Sequence, residues 1–131
     1  MPHFTFDYSA NLEQMVDVQA LAELIHHTML NTGMFELGAV RVRGFRTDHY
    51  AVADLLEENG FIDMSLRIGK GRSEADKKLV GEAIFAAASS FLSELFDTPH
   101  FMLSLEIREI DADLSWKKNA IHPRLRQQTS T

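Results

Sequence analysis

Apolar and polar residues alternate from the start of the chain. Phe4, Phe6 and Tyr8 are interleaved with His3, Thr5 and Asp7, and a period of two predicts a half-buried strand. Ser9 to Gln14 reads as loop. Asp17 then suits the cap of a helix whose apolar positions include Leu21, Leu24, Ile25 and Met29, a spacing of three and four. Gly33 suits its end. Val40 and Val42 alternate with Arg41 and Arg43, which is strand again. Arg46 to Gly60 has two readings: the strand extends and then turns, or a short helix forms near Ala51 to Glu58.

The same order then repeats. Ile62, Met64, Leu66 and Ile68 alternate with Asp63, Ser65 and Arg67 until Gly69 and Gly71 interrupt the pattern. Ser73 caps a long helix, with Asp76 in the capping-box position. Its buried face is marked by Val80, Ala83, Ile84, Ala87, Phe91, Leu92 and Leu95. Phe101, Leu103, Leu105 and Ile107 form the last clear strand. The tail from Asp111 holds Trp116 and ends in a polar, frayed segment, Gln127 to Thr131.

Two β-α-β units, about residues 2–46 and 61–109, therefore precede a C-terminal extension, 110–131. Their size suits such units. Four strands with two helices on one face make an α+β fold, a two-layer sandwich in one domain. The uncovered sheet face and open edges call for a cover, and association of copies supplies one.

Composition narrows the function. A chain of 131 residues without cysteine buries about two-thirds of its unfolded surface, so it needs no disulfide or metal to fold. Thiol nucleophiles are excluded. A net charge of −6 disfavours general nucleic-acid binding. The N-terminal residues lack a signal-peptide pattern, and no apolar run approaches the ~20 residues of a membrane span. A cytoplasmic soluble protein, with no nucleic-acid or membrane partner, is the default.

Three features carry candidate chemistry. Pro2 follows the initiator methionine, which is normally removed before proline and leaves a secondary amine. An α-amino group titrates at ~7.7 to 8.0, near the optimum for a general base, and burial or nearby cations lower it further. Proline stands here in many chains without a catalytic role; its place at the head of a strand is what singles it out. Arg41 and Arg43 share one strand face and offer forks matched to carboxylates, although arginines on strands also serve simply to keep edges apart. Gly69-Lys70-Gly71-Arg72-Ser73 permits a sharp turn before a helix N-terminus, which favours anions. It is equally a plain strand-to-helix connection, and it matches neither the P-loop nor the dinucleotide fingerprint. The six histidines show no metal-ligand spacing, and no nucleophile elbow is present.

Pro2-His3-Phe4, Asn11, the run Gly38 to Arg43, the run Ile68 to Ser73 and the tail Trp116 to His122 together resemble the 5-carboxymethyl-2-hydroxymuconate isomerase family of the tautomerase superfamily, in order and spacing over nearly the whole chain. The resemblance implies that the Pro2 nitrogen is the catalytic base and that Arg41 and Arg72 are catalytic and hold the substrate, a polycarboxylate dienol, with Arg43 as a further binding residue. It also implies a homotrimer, no metal or organic cofactor, and a place in the bacterial breakdown of homoprotocatechuate, on the route from 4-hydroxyphenylacetate. Two rivals stand beside it. One is another reaction of the same superfamily, such as keto–enol tautomerisation or dehalogenation. The other is a non-enzymatic oligomeric binding module.

Overall fold

The computed structural model describes residues 1–129. In chain order its elements are β1 (His3–Ser9), α1 (Val18–Asn31), β2 (Arg41–Thr47), β3 (Gly60–Gly69), α2 (Glu74–Phe91), the short α3 (Ser93–Phe96), β4 (Phe101–Ile110) and α4 (Ile121–Thr129). The strands form one sheet in the order β2-β1-β3-β4. β1 runs parallel to β2 and antiparallel to β3, and β3 runs parallel to β4. Each half is a β-α-β unit, and the expected α+β sandwich is the fold observed.

Alternation decides which face is dry. Phe4, Phe6 and Tyr8 on β1 and Ile62, Met64, Leu66 and Ile68 on β3 are buried with Leu21, Ile25 and Met29 of α1 and Val80, Ile84 and Ala88 of α2. Each large side chain of this kind contributes about 1.5 to 3 kcal/mol. Both caps form as expected. Asp17 accepts from the Ala20 N–H at 3.0 Å and Ser73 from the Asp76 N–H at 3.1 Å. Gly33, just past α1, adopts φ +74°, a conformation that costs glycine little. Gly44 faces Phe6 across the β1–β2 pair. A Cβ there would meet the Phe6 ring at 2.5 Å, so the ring fills the space that a side chain would need.

Several expectations are corrected. β1 continues through Ser9 into a 3-10 turn, Ala10–Leu12, where a plain loop was expected. Of the two readings for Arg46 to Gly60 the first is observed and the helix over Ala51 to Glu58 is not: β2 runs on to Thr47 and the chain then turns. Ala53 and Leu55 take positive φ, 51° and 68°. Asn59 donates to the Val52 carbonyl and to Asp54, and Asn11 donates to the carbonyls of Glu57 and Asn59. Asn59 holds the turn locally and Asn11 ties it to the end of β1, and these amide contacts compete with helix formation. Phe91 is exposed, because the axis breaks at Leu92, and Ala88 takes the buried position. The tail from Gln127 is helical as far as Thr129, within α4; Ser130 and Thr131 lie outside the described residues.

The second face of the sheet is polar. His3, Arg41, Arg43, Asp63, Arg67, Glu106 and Arg108 occur there, with Phe45 and Met102 as its exposed apolar members. Among the described residues no helix is long and apolar enough to cross a membrane.

Candidate active site

Pro2 is buried immediately before β1. Because β1 lies between two strands, its head is held from both sides. With Met1 present the Pro2 nitrogen is an amide, and the amine belongs to Met1. Arg41 is the β2 partner of His3 in the parallel register. Its guanidinium donates to the Met1 sulfur at 3.2 Å.

A cleft of about 810 Å3 opens here, lined among others by Met1, His3, Arg41, Gly69, Trp116 and Lys117. The terminal amine in it is held below its ordinary pKa of 8.0. Burial is the first cause, and the positive charges of Lys117, Arg72 and Arg41 add to it. His3 is pushed from 6.5 down to about 4, again by burial and then by Arg41, Arg67 and Arg43. It is therefore neutral at pH 7, and its Nδ1 is buried with no hydrogen-bond partner among the described residues.

Arg72 does not line the cleft, but its charge is felt at the terminal amine, and it is held nearby by a different route. Its guanidinium donates to the carbonyls of Met34 (3.2 Å) and Gly69 (3.5 Å) and lies 4.9 Å from the centre of the Phe35 ring. These contacts fix a long side chain that would otherwise sample many rotamers. Gly71 at φ +113° allows the turn that delivers it. The N-terminus of α2 is already served by its own chain: Ser73 caps it, and Glu74 and Asp76 stand in its first turn. The anion-attracting element of this turn is thus the Arg72 side chain more than the helix end. Arg43 sits two pairs farther along β2, opposite Thr5, and is exposed; Lys70 is exposed on the turn.

Asn11 lies at the far end of β1 and ties down the loop before β3, so it belongs to the fold and not to this cleft. Two contributors were not singled out from the sequence. Arg67 faces His3 from β3. Lys117 is carried in by the C-terminal segment. That segment is anchored by Asn119, which donates to the Gly38 carbonyl at 2.9 Å and accepts from the Ile121 and His122 N–H groups at 2.8 and 3.1 Å. α4 then packs on Gly38, where a Cβ would come within 2.7 Å of the His122 ring, and Arg126 pairs with both Glu36 oxygens at 2.5 and 2.7 Å. An Asn two residues before the helix and Pro123 in its first turn, where a missing N–H does no harm, were the available signals for α4.

The family profile for 5-carboxymethyl-2-hydroxymuconate isomerase matches residues 2–125. The chain belongs to this family. A 5-carboxymethyl-2-hydroxymuconate Delta-isomerase of Escherichia coli is 31% identical over 122 residues, which cover 93% of this chain and 97% of the relative. A crystal structure of a 5-carboxymethyl-2-hydroxymuconate isomerase from Deinococcus radiodurans R1 superposes with a TM-score of 0.89 at 36% identity, over 95% of this chain and 94% of that one. The fold extends beyond the isomerase family. A macrophage migration inhibitory factor-like protein from Entamoeba histolytica gives a TM-score of 0.59 at 13% identity, over 89% of this chain and 95% of that one.

Proposed function

We propose that the protein isomerises 5-carboxymethyl-2-hydroxymuconate to its 2-oxo isomer, with the Pro2 amine, freed by removal of Met1, as general base. The observation that carries the reading is the cleft at the head of β1, where burial and three cations depress the pKa of the Met1 amine, one residue before the nitrogen that would replace it as the chain terminus. Lowering the pKa of an amine at this position enlarges its neutral fraction, the form that can accept a proton.

The chemistry is a proton relocation. Pro2 nitrogen takes the 2-hydroxyl proton. The oxygen electrons form the C-2 carbonyl, the C-2/C-3 double bond moves to C-3/C-4, and the electrons of C-4/C-5 take the proton back at C-5. Arg41 and Arg72 hold carboxylates and stabilise the charge that develops on the 2-oxygen; Arg43 guides the anion from the rim. Removing Met1 also frees Arg41 from the thioether it now touches. The chain works as one domain, cytoplasmic and homotrimeric, in homoprotocatechuate breakdown. A charged sheet face and open edges at β2 and β4 support association.

The test is the ketonisation rate, followed as loss of dienol absorbance, with protein whose intact mass lacks Met1. A rate far above buffer is expected, falling about 10²- to 10⁴-fold in Pro2→Ala with matching circular dichroism. A rate equal to buffer with folded, processed protein overturns the substrate assignment.

A further inference from the structure

The substrate's own name sets a charge requirement. A muconate has a carboxylate at each end, and the carboxymethyl branch adds a third. Arg41 and Arg72 account for two, the complement that any 2-hydroxymuconate needs. The third would otherwise enter the cleft unpaired, because Arg43 stays exposed at its rim, and an unpaired charge taken from water is costly.

We propose that Lys117 binds the third carboxylate and so selects tricarboxylate dienols over dicarboxylate ones. The inference rests on the isomerase reading above. Lys117 lines the cleft together with Met1, His3 and Arg41. Its positive charge bears on the Met1 amine more strongly than that of Arg72 or Arg41. Pro2 is the next residue along, so an ammonium beside the Met1 amine stands within reach of a branch at C-5, the carbon that the Pro2 nitrogen must protonate.

The position of Lys117 is built. Asn119, two residues on, is fastened to Gly38 and caps α4, while α4 is clamped through Glu36. Arg41 and Arg72 are set by the β-α-β units, whereas Lys117 comes from the extension. Recognition of the branch is thereby separated from recognition of the dienol backbone. A flexible lysine suits this task, since one point charge meets one carboxylate on a rotatable methylene.

The experiment compares wild type, Lys117→Met and Lys117→Arg on two substrates, 5-carboxymethyl-2-hydroxymuconate and unbranched 2-hydroxymuconate. It is run over a pH series and read on the plateau above each variant's acid limb, so loss of a cation beside the amine does not alter its protonation there. The expected result is a KM for the branched substrate raised about tenfold or more in Lys117→Met. KM for the unbranched substrate stays within twofold, and Lys117→Arg restores most of the preference. Equal change on both substrates, or no change on either, overturns the assignment. A wild type inactive on both overturns the isomerase reading instead.

Discussion

The side-chain amide of Asn119 donates to the carbonyl of Gly38 at 2.9 Å, across 81 residues of sequence. Its other end, Oδ1, accepts the first two N–H groups of α4. One residue therefore starts the last helix and ties it to the turn before β2.

The two tasks separate by substitution. Asn119→Asp keeps an acceptor for α4 but loses the donor to Gly38; Asn119→Ala loses both. A cap contributes about 1 kcal/mol. Amide exchange at Ile121 and His122 is expected to quicken about fivefold in Asn119→Ala and little in Asn119→Asp. KM for the dienol rises in both. An unchanged KM in both would show that this tie does not matter to substrate binding.

Gly44 tests the packing of β1 on β2. A Cβ here meets Phe6 at 2.5 Å, so Gly44→Ala forces the ring or the edge strand to move, at about 1 to 3 kcal/mol. The urea midpoint falls at fixed protein concentration. In a Phe6→Leu background the same substitution costs less, because the colliding atoms are gone. Equal costs in both backgrounds would place the strain elsewhere.

The acid limb of kcat/KM reports the base. Its midpoint is expected below pH 8.0, because the burial, Lys117, Arg72 and Arg41 that disfavour the charged Met1 amine act next to the Pro2 nitrogen that replaces it as the terminus. Arg72→Met removes one cation, so the limb moves to higher pH, whatever happens to the plateau. A limb that stays in place under this change excludes the amine as the titrating group.

His3 makes stability fall in mild acid. Its pKa is 6.5 when exposed and about 4 in the fold. Below pH 6.5 the unfolded chain takes up a proton that the folded chain refuses, so stability is full above 6.5 and drains away as pH falls toward 4. Chemical denaturation between pH 7 and 5, above the usual carboxylate range, reads this slope. His3→Gln is expected to flatten it, and an equal slope in the variant would assign it to other groups.

Much of the scaffold was readable because its signals are local. Phe4, Phe6 and Tyr8 alternate within one strand, and Asp17 and Ser73 cap helices three residues away. The remainder depends on partners far along the chain. The loop over residues 51–58 is held by Asn11 and Asn59, whose pairing no local pattern reveals. Pro2 and Arg41 were visible as candidates, yet the register that sets Arg41 and Arg67 on either side of His3 is a property of the sheet. Arg72 was visible as a charge beside two glycines, but its fastening to Met34 and Phe35 was not. Lys117 looked like one charge in a polar tail until α4 fixed where that tail lies.

The central placement of β1 gives the cleft two unlike walls. One wall is a strand bonded on both edges, whose amides should be among the last to exchange with solvent. The other is a strap, Asp111 to Ala120, joined to the body by Asn119 and the short helix after it. Any opening that admits a bulky anion must begin on the strap side, while the nitrogen at the head of the strand stays in register.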